Sequence, residues 1–179
     1  MTNSKQFRLP GDIVPLNHRL TLTPDLDSFS FTGEEDISIE IVRPTKIIFL
    51  NAIELEIHSA CLTLLDGITL TPLKISLQEE SETVTITFQE TIQPWKGTLN
   101  LSFSGTLNDQ LRGFYRSEYQ GPDGSTQFVA TTQFEATDAR RAFPCWDEPN
   151  IKSSFYVSLI VPNELTAISN MPIESEETL

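Results

Sequence analysis

Apolar and polar residues alternate one by one along most of this chain. Leu16, His18, Leu20 and Leu22 fall on one side of a segment that Thr23-Pro24-Asp25 ends. In DISIEIV, Ile37, Ile39 and Ile41 oppose Asp36, Ser38 and Glu40. KIIFLNA, LEIHSACLTLL, ITLTPLKISLQ, TVTITFQ, TLNLSFSGTL, TQFVATTQF and SSFYVSLIVP repeat the pattern. Successive side chains of a strand point to opposite faces, so each run can bury one face and wet the other. About ten short strands at roughly ten-residue spacing predict an all-β fold, an antiparallel β-sandwich with strands over most of residues 14–162. No amphipathic helix of a dozen residues is visible. The helical content expected is a turn or two at 137–142, with Thr137 or Asp138 as N-cap.

The joints between strands have turn chemistry. Gly33 reads as the opening of a turn in TGEED, Asp66-Gly67 separates two strands, and GPDGS at 121–125 is a hairpin signal, because Asp-Gly tolerates the positive φ of a tight turn. The acidic run Glu34-Glu35-Asp36 lacks the alternating ligands and the glycine of a calcium loop and reads as a solvated turn. LRGFYRSEY at 111–119 reads as a strand whose Tyr and Arg cover an edge, or as one wall of a pocket. Residues 1–11 read as a loose arm. No linker, repeat or low-complexity tract divides the chain, so 1–179 reads as one domain.

Charge and cysteine content narrow the function classes. The chain carries 25 acidic and 12 basic residues, a net charge of −13, which argues against nucleic acid or an anionic membrane as partner. The acidic excess solvates the surface and attracts a cationic ligand such as the free ammonium end of a peptide. Cys61 and Cys145 are too sparse for a disulfide framework or a cysteine-based zinc site and read as free thiols. The start MTNSKQFRLPGD has no apolar run and no long apolar stretch follows, so a cytoplasmic location is expected. The two histidines, His18 and His58, sit inside strands without a converging ligand set and read as structural. There is no Gly-rich phosphate loop, and no nucleophile has a His base near it in sequence. The residues supply no complete catalytic set and no metal site.

TQFEATDARRAFPCWDEPNIK, residues 132–152, is of another kind. Gln133, Glu135, Asp138, Arg140, Arg141, Asp147, Glu148 and Lys152 surround the wedge Phe143-Pro144-Cys145-Trp146. Gln133 and Glu135 are two apart at a strand end and point to one side, with Phe134 directed into the core. The arginines offer planar donors to Asp147, Glu148 or Asp138, while Pro144 and Pro149 stiffen the backbone and Phe143 and Trp146 pin it. Most of these charges are expected to build a corner, and the Gln133–Glu135 pair is what the corner presents.

Three ordered blocks carry a resemblance: RLPGDIVPLNHRLTLTPDL, then FTGEEDISIEIVRPTKIIFLNAIELEI, then LRGFYRSEY followed by TTQFEATDARRAFPCWDEPNIKSSF. Together the chain resembles the saddle-like N-terminal β domain of the M1 family of zinc aminopeptidases, the gluzincins. The resemblance implies a parent enzyme that releases single residues from peptide N-termini, with Glu135 gripping the substrate α-ammonium and Gln133 lining the first side-chain pocket. It implies peptide substrates with a free N-terminus, and a zinc held by a downstream catalytic domain. The family's G-x-M-E-N loop and H-E-x-x-H helix are absent here. The chain is therefore expected to stop before the last strands of its domain, and to hold no zinc and have no peptidase activity alone. Two other readings stay open: an M1-like scaffold without catalysis, and a free-standing β-sandwich interaction module.

Overall fold

A computed structural model describes residues 8–178. Residues 1–7 of the expected loose arm lie outside the described residues. The remainder of that arm is anchored, since Leu9 packs on the core and its N–H donates to Glu148 Oε1 at 2.6 Å.

Eleven strands are found among the described residues: β1 (Ile13–Asp25), β2 (Ser30–Ile41), β3 (Thr45–Asn51), β4 (Leu55–Leu64), β5 (Thr69–Leu70), β6 (Lys74–Gln78), β7 (Thr83–Ile92), β8 (Trp95–Thr106), β9 (Gly113–Gln120), β10 (Thr126–Gln133) and β11 (Ser154–Leu159). Six form a sheet in the order β11-β1-β2-β8-β4-β5, three a sheet in the order β3-β7-β6, and β9 and β10 a hairpin. The fold is all-β, as the alternation predicts. Pairing is antiparallel except at one edge, where β11 runs parallel to β1. One apolar cluster joins the sheets, with Ile37, Ile39 and Ile41 from β2, Ile48 and Leu50 from β3, Val84 and Ile86 from β7, and Leu99, Leu101 and Phe103 from β8.

Three sequence expectations fail, each for a local reason. Leu16 does not share a face with His18. The β1–β2 register shifts between Pro15 and Asn17, and a bulge residue breaks the alternation; Leu16 is left exposed while His18, Leu20 and Leu22 are buried. Gly33 opens no turn, and Glu34-Glu35-Asp36 is not a solvated turn, because all four lie inside β2. Gly33 pairs with Phe103 across β2 and β8, and two residues away Phe31 pairs with Gly105. A Cβ on Gly33 would lie 2.3 Å from the Phe103 ring, and one on Gly105 would lie 2.4 Å from the Phe31 ring. Each glycine is there so that an aromatic ring can lie across the neighbouring backbone. The short helical turn expected near 137–142 is present as a single 3₁₀ turn at Ala139–Arg141 with Asp138 at its N-cap position; its side chain does not cap the turn, being engaged by Arg141 Nε at 2.7 Å.

Candidate functional site

The corner at 132–152 begins where the β9–β10 hairpin ends. Gly121-Pro122-Asp123-Gly124-Ser125 closes that hairpin, with Gly124 at φ +78° and Asp123 Oδ1 accepting from the Ser125 N–H at 3.0 Å. The register of the hairpin sets Gln133, the last residue of β10, opposite Gly113, the first of β9. Beyond Gln133 the chain leaves the ladder. Phe134 turns to the core and meets Phe143 edge-on, centroids 5.9 Å apart. Glu135 follows, exposed, with its N–H 3.5 Å from Gln133 Oε1. The turn closes when the Asp138 N–H donates to the Phe134 carbonyl at 2.9 Å.

The rest of the stretch is bolted to the sheets. Cys145 and Asn51, at the end of β3, exchange backbone hydrogen bonds of 2.7 and 3.0 Å, and Asn51 Oδ1 accepts from the Asp147 N–H at 3.1 Å. Arg140 donates to Asp147 Oδ2 at 2.9 Å and to Glu82 Oε2 at 3.0 Å. Arg141 pairs with Asp138 at 2.7 Å and with Glu54 at 2.5 Å. Phe143, Cys145 and Trp146 are buried, and burial pushes the Cys145 thiol well up from its ordinary value, Asp147 and Glu35 adding to the push. Both cysteines are free.

Carboxylates in this stretch thus divide into two kinds. Asp138 and Asp147 are held by arginines and Glu148 accepts from the Leu9 backbone. Glu135 has no ion-pair partner among the described residues. It lies exposed next to Gln133, on the turn closed by the Asp138–Phe134 hydrogen bond. An unpaired carboxylate next to a primary amide can accept two or three charge-assisted hydrogen bonds from a small cation.

A second set of groups escaped the sequence reading. His18 and Glu35 are buried, and His18 Nδ1 lies 2.7 Å from Glu35 Oε1. Burial pushes the Glu35 carboxyl well above the ordinary range, with Asp36 adding a smaller push, while burial lowers His18 to about 4. Both directions describe a neutral pair in which Glu35 carries the proton and donates it to Nδ1. The His18 ring stacks on Phe155 of β11 at 4.5 Å, and Phe155 meets Phe143 of the corner at 6.0 Å. The signal was present: continuing the inward odd positions of DISIEIV back by one step reaches Glu35. Glu54 and Glu82 gave no such signal. Both lie outside the motif, in short connections, with positive φ of 60° and 51°, and only the tertiary fold brings them to the arginines. His58 is apart, bonded to Ser104 Oγ at 2.9 Å.

No group of three or more His, Cys, Asp or Glu converges to hold a metal among the described residues. The described residues offer no donor set for the zinc that the resemblance implies. No helix among the described residues is long and apolar enough to cross a membrane.

Comparison with known proteins identifies the family. Residues 14–179 match the model of the Peptidase M1 N-terminal domain. The chain is 45% identical over 171 residues to aminopeptidase M1-C of Oryza sativa subsp. japonica, with 96% of the chain and 19% of the relative covered. It is 43% identical over 169 residues to the puromycin-sensitive aminopeptidase of Caenorhabditis elegans, covering 94% of the chain and 18% of the relative. It is 41% identical over 173 residues to the mitochondrial aminopeptidase 2 of Saccharomyces cerevisiae, covering 94% of the chain and 18% of the relative. The chain thus spans about a fifth of the length of the curated relatives it matches. It belongs to the M1 peptidase family, as its N-terminal domain.

Proposed function

We propose that this domain recognises the free N-terminus of a peptide for a zinc aminopeptidase, with Glu135 accepting hydrogen bonds from the substrate α-ammonium and Gln133 lining the pocket for the first side chain. The observation that carries the reading is the division of carboxylates. In a segment where Asp138, Asp147 and Glu148 each have a partner within the fold, Glu135 is exposed and has no ion-pair partner among the described residues. A cation that arrives from outside meets a carboxylate already positioned and not yet neutralised. Once a bound peptide excludes water, the contact is worth about 1.5–3 kcal/mol, and a peptide blocked at its N-terminus leaves the carboxylate without a partner. That asymmetry selects chain ends.

Residues 1–179 form, in this reading, one N-terminal β domain of a longer protein. Zinc and the general base belong to a catalytic domain that follows it, and this chain alone neither binds zinc nor cleaves peptides. Its covalently linked partner is that domain. Exposed apolar residues of β11 and beyond (Phe155, Tyr156, Val157, Ile168, Met171 and Ile173) offer a surface to pack against it. The same surface suits an interaction module, but such a module, like a scaffold without catalysis, has no use for the unpaired Glu135. The negative charge disfavours nucleic acid and anionic membranes.

The test is Glu135→Gln in the full-length enzyme, assayed on amino-acid arylamides. Side-chain size and one acceptor are kept and the charge is lost, so kcat/KM falls by about tenfold to a few hundredfold. The melting temperature stays at the wild-type value, because the carboxylate makes no ion pair with the described residues of the fold. Wild-type kinetics in this variant would refute the reading.

A further inference from the structure

Arg141 occupies the junction between the two candidate recognition residues. Its Nε holds Asp138, whose backbone N–H closes the turn that carries Glu135. Its Cβ packs on Gly113, the residue opposite Gln133 in the hairpin, so closely that a Cβ on Gly113 would lie 2.6 Å from it. The far end of the guanidinium is held by Glu54 at 2.5 Å. Glu54 lies between β3 and β4, on backbone of φ +60°. Left-handed backbone costs a residue with a Cβ about 1–2 kcal/mol, and asparagine is the side chain that tolerates it best after glycine. The position therefore bears a glutamate where local conformation alone favours Gly or Asn. What the glutamate adds is a short ion pair to Arg141 at 2.5 Å and a longer one to Arg112 at 3.8 Å.

We propose that Arg141, oriented by Glu54, is a positioning residue that fixes Gln133 and Glu135 relative to each other, so that Glu54 acts on the grip of a substrate ammonium without touching it. The inference rests on the ammonium-binding reading of Glu135. Arg140 is different: its partners Asp147 and Glu82, and its carbonyl bond to the Ile53 N–H at 3.1 Å, tie the corner to the three-stranded sheet. None of these contacts reaches the 133–138 turn. Arg141 alone bridges the strand opposite Gln133 and the residue that closes the Glu135 turn.

Glu54→Asn in the full-length enzyme separates positioning from stability, because Asn suits the backbone while removing the charge. The expected result is a KM for amino-acid arylamides raised about two- to fivefold, the scale of one partly exposed ion pair, with kcat little changed and the melting temperature equal to or above wild type. Arg141→Lys, which keeps charge and packing but loses the planar fork, gives the same split. The deciding measurement is a double-mutant cycle. In a Glu135→Gln background, Glu54→Asn raises KM by much less than in the wild type, because the charged member of the pair it positions is gone and only Gln133 remains. Effects that multiply independently in the double variant, or a lowered melting temperature with KM unchanged, overturn the proposal while leaving the role of Glu135 intact. Wild-type kinetics for Glu135→Gln itself would instead refute the underlying reading.

Discussion

Glu35→Gln should reverse the way this domain's stability responds to pH. In the fold Glu35 is buried with its acidity suppressed, whereas in the unfolded chain it ionises near its ordinary value of 4.5. Above that pH the folded state holds a proton that the unfolded state has shed, so the contribution of Glu35 to stability falls as pH rises. His18 acts in the opposite sense. Unfolded, it takes up a proton below 6.5; folded, it refuses one until about 4, so its contribution falls as pH falls. Between 4.5 and 6.5 the two cancel, and the pair leaves wild-type stability flat. Above 6.5 only Glu35 remains, and stability declines. The variant keeps His18 alone: its stability is flat above 6.5 and declines as pH drops toward 4. The difference between wild type and variant therefore shrinks as pH rises. The difference changes by about 1.4 kcal/mol per pH unit over the range in which Glu35 is protonated in the fold and ionised in the unfolded chain. Urea unfolding of both proteins between pH 5 and 8 measures it, since buffer-wide effects on other groups cancel in the subtraction. Parallel curves would refute the neutral-pair account, as would an NMR titration in which the His18 imidazole protonates near 6.5.

Gly33→Ala should destabilise the domain by about 1–3 kcal/mol, the range for forcing atoms into a packed core, because the added methyl meets the Phe103 ring; urea midpoints check it, and a change under about half a kcal/mol speaks against the Gly–Phe pairing. Asp147→Ala leaves Arg140, only 11% exposed in its side chain, with Glu82 as its one remaining carboxylate; a loss of about 1–3 kcal/mol is expected from denaturant melts. Cys61, partly exposed, should react with a thiol reagent in the native state, whereas Cys145, buried and raised in pKa, should react only on unfolding. Two equally fast thiols in the native protein would contradict the packing of the corner.

Strand positions were legible because period-two alternation is a local property and burial follows it. Ile37, Ile39 and Ile41 had to face one way, and they do. Where the local signal and the fold parted, the fold imposed a non-local demand. Leu16 lost its face to a bulge. Gly33, which in isolation resembles a turn residue, is spent beneath a ring contributed by β8. Glu35 looked solvated because two acidic neighbours flank it, yet the face it occupies is the one that packs. In the corner, charge alone showed that the arginines would meet carboxylates of the motif but not which: Arg140 takes Asp147 and Arg141 takes Asp138, while Glu148 accepts from the Leu9 backbone instead. Pairings to Glu82 and Glu54 could not be anticipated, since nothing in a single sequence links a connection near residue 54 to an arginine near residue 141.

The treatment of acid in this domain follows one rule. A carboxyl group is costly to bury charged, and the fold meets the cost in two ways: Glu35 is neutralised by holding its proton against His18, and Asp138 and Asp147 are neutralised by guanidinium forks. Glu135 receives neither. It is exposed, and among the described residues no cation pairs with it. Leaving it unpaired costs the folded domain nothing while water surrounds it, and becomes consequential only when a ligand displaces that water. For this reason we expect substitutions at Glu135 to register in catalysis and not in melting temperature, and substitutions at Asp147 or Arg140 to register in melting temperature first. If Asp147→Ala lowered kcat/KM at full stability while Glu135→Gln unfolded the domain, the roles assigned to the two kinds of carboxylate would have to be exchanged.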